Sequence, residues 1–234
     1  TDIKVEQSPW WLQRRLMHAG MRPINNIVDI TNFVMMEYGQ PIHAFDAKTI
    51  AGGKIIVDVS KKGDKFTTLD GTERELPEGI LMINDAEKQV GIAGIMGGLN
   101  SEITEETKTV ILEVANFNGD SIRSSSKKLT LRTEASSRYE KGIDANLCEA
   151  AAERVCHLIE LLGCGKVAGG VVDVYPEVQK ANPVDVRVSR VNHVLGTDIS
   201  KEDMVKIFES LEMKCVENGD VITVTPPTVR QDLE

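Results

Sequence analysis

The sequence predicts an α+β fold: a mixed or antiparallel sheet domain flanked by helices, followed by a truncated winged-helix-like α+β module. Three observations lead there. Ile24, Ile27, Val28, Ile30, Val34 and Met35 recur at helical spacing. Over residues 54–114 the texture changes to short β-rich runs of period two, punctuated by the hairpin signal Asp70-Gly71. No strand–helix–strand alternation repeats, so a parallel sheet is not expected.

Taken in order, Ser8 reads as a helix cap with Pro9 at the first helical position, and this helix runs through Leu12, Leu16 and Met17 to Gly20. A second helix is predicted over 24–37, stopped by Gly39-Gln40-Pro41, which delivers His43 on a loop. Strands follow over 54–59, 80–83, 90–96 and 109–114, then helices over 118–129 and 144–162, the last ended by Gly163. Residues 131–144, LRTEASSRYEKGID, read as a polar loop entering that helix. Gly, Pro, Tyr and charged residues break the periodicity over 169–182, which marks a boundary. Beyond it a strand over 184–188, a helix over 190–195, a Ser200-capped helix over 201–211 and a hairpin turned at Asn218-Gly219 make the small second module. It stops at Glu234 without a closing core element, so the chain reads as a fragment of something longer.

Composition narrows the function classes. Of 234 residues, 41% are hydrophobic and 27% charged, ordinary usage for a globular protein that buries a core. No apolar run approaches the roughly 20 residues needed to span a bilayer, and the N-terminus lacks a signal-peptide pattern, so a cytoplasmic protein with no membrane partner is expected. Cys148, Cys156, Cys164 and Cys215 contain no CxxC pair, which argues against zinc or a disulfide framework. A net charge of −9 argues against wrapping a duplex, so DNA is not an expected partner. Residues 121–141 nevertheless carry six basic side chains against two acidic ones, a local +4. That window is either a solvated basic face or a landing place for a phosphate-bearing end.

Several polar residues stand where a core does not need them. His43 is one of four histidines. Glu113 interrupts the apolar run VILEVA, where a carboxylate either faces solvent by strand alternation or accepts a hydrogen bond from a ligand. GIAGIMGG, residues 91–98, has the wrong spacing for a dinucleotide turn; it suggests a tight strand and turn with the Gly97 and Gly98 N–H groups free. No hydrolase signature is present, so any chemistry is positional: holding an activated ester and orienting a water.

Four blocks, RPINNIVDITNFVMMEYGQPIHAFD, GIAGIMGG, TVILEVANF and LRTEASSRYEKGID, occur in this order. Together they resemble the beta subunits of bacterial phenylalanyl-tRNA synthetase, and with their flanks the similarity covers essentially the whole chain. The resemblance implies an editing domain over 1–174 and the N-terminal part of the winged-helix-like module over 175–234. It implies hydrolysis of tyrosine wrongly esterified to tRNA(Phe), with Arg22, His43 and Thr133 near the ester and Glu113, Gly97 and Ala135 around the tyrosine ring. The alternative is a non-catalytic structural and tRNA-positioning module.

The implied partners are the tRNA(Phe) 3′ end, the tyrosine moiety, and an alpha subunit in an α2β2 assembly. Editing would need no cofactor, whereas ATP and Mg²⁺ would serve the whole synthetase. Asp232, in PPTVRQDLE, resembles one ligand of an acidic magnesium-binding segment. One carboxylate does not hold Mg²⁺ firmly, so no ordered metal is expected from it.

Overall fold

The computed structural model describes residues 1–233, which divide into two units, 1–173 and 174–233. The first unit opens with two helices, α1 (Trp10–His18) and α2 (Asn26–Tyr38). Ser8 does not cap α1: its hydroxyl donates to Asp29 Oδ2 at 2.6 Å, tying the segment before α1 to α2, and Pro9 takes the cap position. α2 starts two residues later than its apolar pattern suggested, because Asn25 Oδ1 accepts from the Val28 N–H. It stops at Gly39, whose φ of +76° suits a residue without Cβ.

Next comes β1 (Ile42–Asp46), so His43 lies on a strand and not on the predicted loop. The reason is long-range: β1 pairs antiparallel with β8 (Val110–Val114), and nothing local to Gln40-Pro41 announces that partner. Between them lies a four-stranded antiparallel sheet in the order β2 (Ile56–Val59), β5 (Leu81–Asn84), β6 (Gln89–Ile92), β7 (Met96–Gly97). The hairpin β3 (Asp64–Thr67) and β4 (Glu73–Leu76) turns at Gly71. The run over 90–96 is thus not one strand: Gly94, at φ +64°, folds it into the β6–β7 hairpin.

Three helices complete the unit: α3 (Gly119–Leu129), α4 (Glu134–Tyr139) and α5 (Leu147–Leu161). α4 occupies what the sequence suggested was loop. A capping box makes it: Thr133 Oγ1 accepts from the Ser136 N–H and Ser136 Oγ accepts from the Thr133 N–H. One core cluster joins α1, α2 and α5 to one face of the β1–β8 ribbon through Leu16, Ile27, Val34, Ala44 and Val155. A second lies between the four-stranded sheet and α3 and α4, around Met82, Ile92, Ile95, Ile122 and Tyr139.

The second unit has a three-stranded antiparallel sheet in the order β10 (Lys214–Asn218), β11 (Val221–Thr225), β9 (Val184–Arg187). Helices α6 (Val188–Leu195) and α7 (Lys201–Ser210) accompany it, around Met204, Met213, Ile222 and Val224. Ser200 caps α7 by accepting from the Asp203 N–H. All named strand pairs in both units are antiparallel, which makes the chain α+β.

Candidate functional site

Strand alternation builds the site. On β1 and β8, Ile42, Ala44, Val110, Leu112 and Val114 face the helical core. Phe45 and Ile111 face the other way, against Ile83, Val90 and Ala93 of the four-stranded sheet. His43 and Glu113 share that second face and stand directly opposite each other in the register. Alternation therefore does not leave Glu113 fully exposed: it is half-buried, like every residue of β8.

Two ionisable groups are thus placed in a water-poor recess. Burial pushes the Glu113 carboxyl up to about 7 and the His43 imidazole down to about 4. Glu113 is half-buried, whereas His43 Nε2 is sealed from solvent and is the one buried side-chain nitrogen or oxygen without a partner among the described residues. The imidazole lies edge-on to Phe45, with ring centroids 4.5 Å apart at 79°.

The glycine hairpin closes in on this pair. A Cβ on Gly97 would sit 2.6 Å from His43 Nε2 and 3.2 Å from Leu69 Cδ1, so only glycine admits the imidazole here. Its φ is not in the left-handed region; the constraint is contact, not backbone strain. The expectation of a free amide fails at Gly98, whose N–H donates to the Val90 carbonyl at 2.8 Å in the ladder continuing β6.

Thr133 and Ala135 enter from α4. The Thr133 hydroxyl donates to the Ile95 carbonyl at 2.9 Å while accepting from Ser136, so its single proton is committed to holding α4 against the glycine hairpin. Ala135 is half-buried against the cluster containing Ile95 and Tyr139. Arg22 is exposed between α1 and α2, and no contact of its guanidinium ties it to the other five. Asp232 lies in the second unit, held by Arg230 through two 2.8 Å contacts that depress its carboxyl to about 2. Among the described residues no group of three or more His, Cys, Asp or Glu could hold a metal ion.

Two residues that the sequence reading passed over sit under the recess. Gln40 is fully buried and Tyr139 is 3% exposed, and both hydrogen-bond the backbone where β1 and β8 end. Their only sequence signal is membership of the first and fourth blocks. The broad groove lined by Asp64, Lys65, Phe66, Thr67, Lys88, Gln89 and Asn100 contains none of the six residues. In it Gln89 donates to Asp64 and Asn100 to the Gln89 backbone carbonyl.

Fold and recess together define an α+β domain with a desolvated acid–imidazole pair set against a glycine hairpin. The chain belongs to the B3/4 domain family, whose model matches residues 1–164. The model of the tRNA synthetase B5 domain matches residues 184–234. Along 99% of its length the chain is 53% identical to the phenylalanine–tRNA ligase beta subunit of Clostridium tetani, and along 98% it is 49% identical to that of Geobacter metallireducens. The resemblance drawn from the four blocks thus extends over the whole chain, which spans 29% of the length of these relatives. A solved N-terminal fragment of the Pyrococcus horikoshii phenylalanyl-tRNA synthetase beta-subunit superimposes with a TM-score of 0.46 at 14% identity, over 89% of this chain and 61% of that one. That likeness is too loose to bear on the site.

Proposed function

We propose that this chain is the editing part of a bacterial phenylalanyl-tRNA synthetase beta subunit, and that it hydrolyses tyrosine mis-esterified to tRNA(Phe). The observation that carries the reading is the opposed His43–Glu113 pair, with His43 Nε2 buried, without a partner and pressed against Gly97. A recess with unpaired polar groups favours a ligand that brings a partner for them. The tyrosine phenol does so by donating to Glu113, while phenylalanine leaves the carboxyl unpaired, and that difference selects between two otherwise similar rings.

Ala135 contributes its small size, leaving room for the ring beside α4. His43 is neutral at pH 7, but an imidazole near 4 is a weak base. The chemistry is therefore mainly positional: the ester arrives activated, and the recess aligns it with a water. Thr133 holds the start of α4 against the glycine hairpin, so its part near the ester is as a lone-pair acceptor. Arg22, exposed and unpaired, offers its charge to a phosphate of the 3′ end.

The basic window supports the same partner. Glu140 and Glu134 neutralise Arg132 and Arg138, which leaves Arg123, Lys127, Lys128 and Lys141 exposed for a single-stranded backbone. An alpha subunit, ATP and Mg²⁺ belong, in this reading, to the longer assembly, in the cytoplasm. No helix among the described residues is long and apolar enough to cross a membrane.

Deacylation of preformed Tyr-tRNA(Phe) and Phe-tRNA(Phe) tests the proposal. Tyrosine should be released faster than phenylalanine, and Glu113→Ala should erode that preference more than His43→Ala does. Equal losses of selectivity would refute the division of labour between the two residues. Binding of the tRNA without turnover above a no-protein control would favour the positioning module instead.

A further inference from the structure

The end of the β1–β8 ribbon nearest His43 and Glu113 leaves backbone acceptors without a ladder. Its last pair is Ile42 with Val114, and the next residue on β1's side, Pro41, has no N–H to give. The Ala115 carbonyl therefore loses its ladder donor, and among the described residues no backbone N–H is given to the Pro41 carbonyl, so both take donors from side chains. Gln40 and Tyr139 supply them. Gln40 Nε2 lies 2.8 Å from the Ala115 carbonyl and 3.0 Å from that of Pro41. The Tyr139 hydroxyl lies 2.9 Å from the Ala115 carbonyl, 3.3 Å from that of Pro41 and 3.3 Å from Gln40 Nε2. Two amide protons and one phenolic proton thus serve two carbonyls, each carbonyl two residues from His43 or Glu113. Gln40 Oε1 is met in turn by the Cys148 thiol at 3.8 Å.

Tyr139 also reaches the other walls. It follows Ala135 by four positions on α4, so the two share one helix face. Its ring packs edge-on to Phe117 at 5.1 Å, and a Cβ on Gly94 would fall 3.0 Å from its Cδ2. One side chain thereby touches both strands of the ribbon and the glycine hairpin, and sits on the helix that carries Ala135. Burial, and after it the nearby Glu113 charge, holds its phenol protonated, so it stays a donor.

We propose that Gln40 and Tyr139 are positioning residues that fix the spacing between Glu113, Gly97 and Ala135, and through it the choice of tyrosine over phenylalanine. This rests on the reading that the recess takes a tyrosine ring. Tyr139→Phe keeps the ring and deletes one donor; Gln40→Met keeps the volume and deletes two.

The test is titration calorimetry of the protein and both variants with L-tyrosine and with L-phenylalanine, alongside thermal melting and amide exchange along the ribbon. The preference for tyrosine should fall about tenfold in each variant, the scale of one lost hydrogen bond. Exchange should quicken at Ile42–His43 and Glu113–Val114, and not at the Asp46–Val110 end. A lower melting temperature with both affinities falling together and their ratio intact would overturn the positioning role and leave a purely structural one. No preference for tyrosine in the unaltered protein would overturn the reading of the recess itself, and the positioning role with it. If Tyr139→Phe does not fold, Gln40→Met carries the same expectations.

Discussion

Two carboxylates in the first unit, the buried Asp85 and the half-buried Glu113, have opposite environments. Asp85, after β5, has a fully buried side chain that accepts from the N–H groups of Ala51, Glu87 and Lys88 and from Lys88 Nζ at 2.8 Å. Burial works to raise its pKa, but the Lys88 ammonium and the three amides outweigh it, and the group ends well below the usual carboxylate range. Glu113, half-buried, has desolvation without the donors, and it ends near 7. Burial alone does not decide what a carboxylate is for; the supply of donors does. Asp85 is a staple for the turn between β5 and β6, whereas Glu113 keeps its bonding capacity in reserve.

The largest expected effect would break the comparison on the Asp85 side. Asp85→Ala strands three amides, so urea unfolding should show a loss of about 4 kcal/mol. Glu113→Gln, which strands nothing, should leave the stability at pH 5 nearly unchanged. A comparable loss in both would mean that Glu113 is as embedded in the fold as Asp85.

The next effect concerns pH. Glu113 is raised from 4.5 to about 7, so the native state holds its proton more tightly and stability falls as pH rises through that window. His43 is lowered from 6.5 to about 4, so the unfolded state binds the proton and stability rises with pH between those values. Each contribution is about 3 kcal/mol, and the two nearly cancel where the windows overlap. Glu113→Gln should uncover the rising limb between pH 4 and 6.5, and His43→Phe the falling limb between 4.5 and 7. Flat curves in both variants would mean that the pair is solvated.

The smallest effect extends the comparison to hydroxyls. Thr133→Ala removes the α4 cap and the bond to Ile95, which should cost about 1 kcal/mol in denaturant unfolding. Thr133 belongs on that measure with Asp85, among polar groups already spent on the fold.

Local chemistry was legible in the sequence. The stop at Gly39, the hairpins at Asp70-Gly71 and Asn218-Gly219 and the Ser200 cap are each written within a few residues, and the structure has them there. His43 was legible as a residue of interest but not as a strand residue, since its strand exists only because β8 pairs with it. Glu113 was left between solvent and recess, because alternation names two faces without saying whether both are covered. The α4 capping box was present in TEAS and outweighed by the polar look of its block. Gln40 and Tyr139 lie 99 residues apart, and a bond across that distance has no signature in either neighbourhood.

The pairing of β1 with β8 also sets an order of events in time. His43 leaves the ribosome about 70 residues ahead of Glu113, several seconds at ordinary rates of synthesis. In the interval the whole β2–β7 meander is made, and closing that long loop is slow because its entropy is spent before any ladder bond repays it. Apolar Ile42 and Phe45 wait unpaired meanwhile, so a nascent chain stalled before residue 110 exposes a strand edge open to wrong partners. The recess cannot close until β8 and α4, which carry Glu113 and Ala135, have been synthesised.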